Sequence, residues 1–269
     1  MNNKSIGVFD SGLGGLTAVK QIMAELPCES IVYFGDTGRV PYGTRSKETI
    51  IKYSKGDINF LLTKNVKIIV IACGTASSVA LPNIKNDYDI PIIGVVDAAS
   101  LAAFKATKNG KIGIIGTTGT IKSGSYEERL LLENPELKIF KKACPLFVPL
   151  VENGHFDTEV TKLVVEEYLE DIKKAGVDTL ILGCTHYPLL REEIQRFMGD
   201  DVRLVNSGAE AAVEALGQLE QKGLRSGGRG RGCVRYYVSD TVDGFEKLGS
   251  VFLEQPIDGT VQKIEIEKY

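Results

Sequence analysis

Two apolar runs in the sequence end in a cysteine followed by hydroxyl-bearing residues. One is KIIVIACGTASS at 67–78, with Cys73 and Thr75; the other is TLILGCTHYPLL at 179–190, with Cys184, Thr185 and His186. An unperturbed thiol has a pKa of about 8.5, so its neighbours can hold it as thiolate or as neutral acid. Two thiols on opposite sides of one carbon, in opposite protonation states, could remove a proton from one face and supply one to the other. That operation inverts a stereocentre bearing a C–H bond. A lone cysteine at a strand end is usually a small buried hydrophobe, and Cys28, Cys144 and Cys233 are read that way. Cys73 and Cys184 differ because they occupy matching places 111 residues apart. Asp10 and His186 are the expected neighbours that set their protonation.

The elements that would position these residues alternate along the chain. Short apolar runs suggest strands at 4–10, 30–36, 67–73, 91–97, 111–117, 138–144, 178–184, 202–207 and 234–240. Amphipathic helices lie between them, the pattern of a parallel sheet covered on both faces. One helix is expected over 46–64, capped by Ser46, with Ile50, Ile51, Ser54, Ile58, Leu61 and Leu62 on one stripe. Another is expected over 158–175, with Val160, Leu163, Val164, Tyr168 and Ile172 inward, stopping at Gly176. The cysteine-ended strand starts 63 residues after the leading strand in the first half and 67 after it in the second. This reads as two related α/β units. The division expected is residues 1–97 with a returning tail 208–269, and residues 98–207.

Ligands of open parallel sheets bind beyond the carboxyl ends of the strands. Asp97, Ser207 and Asp240 at such ends are expected to cap the following helices. The opening DSGLGG lacks the third glycine of a dinucleotide fingerprint. It is read instead as a tight turn that offers backbone N–H groups to an anion such as a carboxylate, and GTTGT at 116–120 as its counterpart.

Bulk properties narrow the classes. The chain has 269 residues, 43% hydrophobic and 25% charged, with a net charge of −3, which gives no reason to expect a nucleic-acid or membrane-surface partner. The stretch KGLRSGGRGRGC at 222–233 carries four cations but no aromatics and is read as a flexible surface loop. No apolar run reaches the ~20 residues of a membrane helix, and no signal-peptide core precedes the first strand, so a cytoplasmic protein is expected. Five scattered cysteines without a CxxC pair, and only two histidines, argue for free thiols and against a zinc site.

The stretches FDSGLGG (9–15), DTGRVPYG (36–43), ACGTAS (72–77), GTTGT (116–120), CPLFVPLVENG (144–154) and GCTHYP (183–188) together resemble the glutamate racemases of the aspartate/glutamate racemase superfamily. The resemblance implies two pseudo-symmetric, flavodoxin-like α/β domains with the site between them, usually in a homodimer. It implies interconversion of L- and D-glutamate without a cofactor or metal, supplying D-glutamate for peptidoglycan. The same resemblance implies that Cys73 and Cys184 are the paired acid/base thiols, Cys73 acting on D-glutamate and Cys184 on L-glutamate. Asp10, Glu152 and His186 tune the thiols or handle the ammonium. Asp10, Ser11, Tyr42, Gly43, Gly74, Thr75, Thr117, Thr118, Thr185 and His186 contact substrate. One position departs: the family usually has Asn after the first cysteine, where this chain has Gly74. A lost side-chain hydrogen bond predicts weaker binding or altered preference. Two other readings stay open, a relative acting on aspartate or another amino acid, and an amino-acid-binding regulatory protein without turnover.

Overall fold

The computed structural model describes residues 4–228, 230–257 and 259–269. Among the described residues ten strands run in the order β1 (Ser5–Asp10), β2 (Ile31–Gly35), β3 (Val66–Ile71), β4 (Ile92–Gly94), β5 (Lys111–Gly116), β6 (Lys138–Ala143), β7 (Thr179–Leu182), β8 (Arg203–Asn206), β9 (Val234–Val238) and β10 (Val261–Lys263). The longer helices are α1 (Leu16–Glu25), α2 (Lys47–Thr63), α5 (Val95–Ala106), α7 (Ser125–Glu133), α9 (Glu159–Lys174), α10 (Arg191–Met198), α11 (Ser207–Gln221) and α12 (Phe245–Leu253). Four short ones, α3 (Gly74–Val79), α4 (Leu81–Ile84), α6 (Thr118–Ser123) and α8 (Phe147–Glu152), follow strand ends or loops near the cleft.

The strands form two sheets, β10-β9-β2-β1-β3-β4 and β6-β5-β7-β8, in which every pairing is parallel. The order β2-β1-β3-β4 in the first recurs as β6-β5-β7-β8 in the second, so the two halves are built alike. β3 and β7 are third strands of their units, and each leads into a cysteine. The inner strands β1, β3 and β7 are buried along their whole length, which is why they read as unbroken apolar runs.

Local chemistry explains the helix ends. Ser46 Oγ accepts the Thr49 N–H at 3.3 Å and starts α2. Thr158 Oγ1 accepts the Thr161 N–H at 3.3 Å and starts α9. That helix ends before Gly176, whose φ of +70° is the left-handed conformation that favours glycine.

Several expectations are corrected. The fourth strand is only Ile92–Gly94, because α5 begins at Val95. Asp97 therefore lies inside a first turn, paired with Arg129 at 3.3 Å, rather than at a cap. Asn206 caps α11, and Ser207 Oγ donates instead to the Leu182 carbonyl at 2.6 Å. Asp240 lies in the loop ahead of α12, whose N-cap is Gly244, and faces Lys263 at 3.4 Å. On α9 the buried stripe is Thr161, Val165, Leu169 and Ile172, leaving Val160 and Leu163 exposed. Thr161 takes the inward place because its hydroxyl donates to the His155 carbonyl at 2.8 Å. Leu62 is likewise exposed at the end of α2. Cys144 is buried, but Cys28 is half-buried and Cys233 exposed in the loop before β9, so those two are not core residues. The 222–233 stretch is anchored: Ser226 N–H donates to Glu29 Oε1 at 2.6 Å and Gly232 N–H to the Pro27 carbonyl at 2.8 Å. Its Arg229 lies outside the described residues. Among the described residues no helix is long and apolar enough to cross a membrane.

Candidate active site

A cavity of about 320 Å³ lies where the two sheets' strand ends face each other. From the first half it is lined by Ser11, Tyr42, Gly43, Cys73, Gly74 and Thr75; from the second, by Thr117, Thr118, Cys184, Thr185, His186 and Glu152. Every residue expected from the sequence thus reaches one cavity except Asp10, which lies buried behind its wall with Oδ2 accepting the Gly12 N–H at 3.1 Å. Gly12, Val40, Pro41, Thr44, Pro145, Val148, Pro149 and Gly183 complete the lining and were not anticipated.

The halves touch through hydroxyls. Thr75 Oγ1 and Thr117 Oγ1 stand 2.8 Å apart, and Thr117 Oγ1 is 3.0 Å from Thr120 Oγ1. Thr17 Oγ1 donates to the Thr185 carbonyl at 2.9 Å. Gly14 packs so tightly on Thr185 and His186 that a Cβ there would fall inside the 3.0 Å that Cβ atoms essentially never breach. The same holds at Gly74, where the Cβ would meet the Gly183 carbonyl oxygen of the opposite half. An asparagine cannot enter here without moving backbone, so the glycine reflects close approach of the halves and not only a missing donor.

The two thiols have different surroundings. Cys73 follows β3 and stands at the N-terminus of α3, where its Sγ accepts the Ala76 N–H at 3.5 Å and lies 3.6 Å from Ser11 Oγ. Its sulfur thereby caps that helix. Burial and then the nearby Asp10 carboxylate push the Cys73 thiol up to about 12, although the Ala76 N–H and Ser11 hydroxyl work the other way. It therefore holds its proton at neutral pH. Cys184 Sγ lies 3.9 Å from His186 Nδ1, and His186 Nε2 lies 3.1 Å from Glu152 Oε1. Burial alone would lower the imidazole, but the hydrogen bonds to Cys184 and Glu152 and the charges of Cys184 and Asp10 push it up to about 10. The ring is held edge-on to Phe252, centroids 5.1 Å apart. Burial raises the Asp10 carboxyl, against the His186 charge and the N–H groups of Gly12, Gly15 and Ser11.

Tyr42 does not present its hydroxyl to the cavity. The oxygen is buried against Asp36 and Asp57, the latter at 2.9 Å. Tyr42 stays in the cavity wall with its hydroxyl turned away, and Asp57 is a partner the sequence did not reveal.

Residues 17–216 match the family described as Asp/Glu/hydantoin racemase. The chain belongs to that family. It is accordingly an amino-acid racemase, an isomerase. The racemase is similar to the glutamate racemase of Geobacter metallireducens, 44% identical over 98% of this chain and 97% of that one. It superposes on the glutamate racemase isoform RacE1 of Bacillus anthracis with a TM-score of 0.94, at 38% identity over 98% and 99% of the two chains. For the glutamate racemase of Francisella tularensis in complex with D-glutamate the TM-score is 0.93, at 35% identity over 100% of both chains.

Proposed function

We propose that this racemase interconverts L- and D-glutamate with Cys73 and Cys184 as its two proton carriers. The observation that carries the reading is that both sulfurs line one cavity from opposite, like-built halves. In the L-to-D direction Cys184, as thiolate beside the protonated His186, takes the α-proton. The C–H electron pair passes onto the carbon and its carboxylate, and the Cys73 thiol gives its proton to the opposite face. The two sulfurs have then exchanged protonation states, and D-to-L turnover runs the same steps backward. Burial keeps Cys73 protonated, and the substrate ammonium is the charge that favours its thiolate when D-glutamate binds. Ser11, Thr75, Thr117, Thr118 and Thr185, with the amides of Gly43 and Gly74, offer hydrogen bonds to the two carboxylates.

The relatives named above, glutamate racemases across almost their full lengths, support glutamate over aspartate. The same proposal takes residues 1–97 with 208–269, and 98–207, as the two lobes, and a cytoplasmic homodimer feeding peptidoglycan synthesis. Deuterium exchange at Cα, assayed with each enantiomer of glutamate and aspartate, tests it. Cys73→Ser and Cys184→Ser should each lower racemisation about 10²–10⁴-fold and should differ in which enantiomer still exchanges. Full racemisation by either variant, or faster exchange of aspartate, overturns the reading.

A further inference from the structure

The loop that joins β2 to α2 carries Val40, Pro41, Tyr42, Gly43 and Thr44 into the cavity wall. Beneath it, away from the substrate space, five polar side chains meet. Arg39 Nε donates to Asp36 Oδ2 at 2.6 Å and Arg39 Nη2 to Asp57 Oδ1 at 2.8 Å. Ser239 Oγ donates to Asp36 Oδ1 at 2.7 Å and itself accepts the Gly38 N–H at 2.8 Å. The Tyr42 hydroxyl lies within hydrogen-bonding distance of both Asp36 Oδ2 and Asp57 Oδ2. Both carboxyl side chains are fully buried, and the guanidinium is 14% exposed.

Counting protons in this cluster decides its state. The phenol has one hydrogen and faces two carboxylate oxygens, so it can satisfy only one of them as a donor. The other contact needs a hydrogen from the carboxyl itself. Counting charge gives the same answer: one guanidinium balances one buried carboxylate, and a second ionised carboxylate would be buried without a partner. Asp36 has the tighter guanidinium contact and the Ser239 donor. Asp57 has neither advantage.

We propose that Asp57 is a positioning residue of the racemase: its carboxyl is protonated at neutral pH, donates to the Tyr42 oxygen, and fastens the substrate-cavity loop to α2. Burial raises the Asp57 carboxyl well above its usual range, the Asp36 charge adds to that, Arg39 opposes it, and Asp10 is the remaining charged group that bears on it. Tyr53 closes the cluster on the outer side, with the Arg39 guanidinium 4.2 Å over its ring. With the Tyr42 side chain fixed below the loop, the backbone of Gly43 and Thr44 is held where it lines the cavity. The effect on turnover rests on the function proposed above; the protonated carboxyl does not.

Two measurements test the proposal and separate it from the substrate assignment. Difference infrared spectra of the intact protein at pH 7, comparing the wild type with Asp57→Asn, should show the carbonyl stretch of a protonated carboxyl that the variant lacks. No such band overturns the proposal whatever the substrate is. In kinetics, Asp57→Asn keeps a donor toward Tyr42 and an acceptor toward Arg39, so its KM for glutamate should stay within about twofold. Asp57→Ala removes both and should raise KM about tenfold or more, with a smaller change in kcat. An Asn variant as impaired as the Ala variant shows that charge, not the donated hydrogen, is needed, and sinks the idea. If Asp57→Ala does not fold, the Asn kinetics and the infrared band still decide.

Discussion

Gly74 and Gly183 approach each other so closely that a Cβ built at 74 overlaps the Gly183 carbonyl oxygen. The contact joins the start of α3 in one half to the end of β7 in the other. Gly74→Ala should therefore lower stability by about 1–3 kcal/mol, the cost of overpacking, although alanine is ordinarily the better helix former. Gly74→Asn should raise KM for glutamate, not lower it, because the lobes must part to admit it. Denaturant unfolding and steady-state kinetics check both. An asparagine variant with tighter binding and unchanged stability refutes the steric account.

His186 gives a pH dependence with a defined sign. Its folded pKa, about 10, lies above the ordinary imidazole value of 6.5. The stabilisation it contributes is complete below pH ~6.5 and is lost as pH rises toward 10. The stability gap between wild type and His186→Asn should therefore narrow across that window, read by denaturation at a series of pH values. A gap that widens with pH contradicts the assignment.

The hydroxyls of Thr75 and Thr117 tie the lobes at the cavity edge. Thr75→Val keeps the shape but removes that bond, while Thr117 and Thr120 still pair. A loss of about 0.5–1.5 kcal/mol is expected, with a several-fold rise in KM. Calorimetry and kinetics on the same preparation measure the two effects.

Only two of the five thiols take part in the proposed reaction. Cys233 is exposed and Cys144 buried in the core beneath the cavity. Mild alkylation should label Cys233 first without loss of racemisation, and Cys144→Ala should remain active in both directions. Mass spectrometry of partly labelled, assayed protein tests the first point. Inactivation that tracks labelling of Cys233 would show a role not accounted for here.

The strand positions along the chain and both thiols were legible because a parallel strand covered on two faces is an uninterrupted apolar run, and a cysteine ending such a run stands out. Other features were hidden for physical reasons. Asp57 sits in KGDINF on α2 and looks like a solvated helix position; only the fold brings it against Tyr42 and Arg39. β10 is three residues at a sheet edge, two of them polar, with no apolar run to announce it. Val160 and Leu163 misled because α9 spends an inward place on Thr161, whose hydroxyl closes a local hydrogen bond.

The unlike surroundings of Cys73 and Cys184 carry a thermodynamic constraint. Mirror-image amino acids have identical free energies in achiral water, so at equilibrium the two must be present in equal amounts. However differently the imidazole on one side and the buried carboxyl on the other shape each half-reaction, kcat/KM must come out the same for both enantiomers. The asymmetry built around the sulfurs can show only in how each direction divides that shared ratio between saturation and speed.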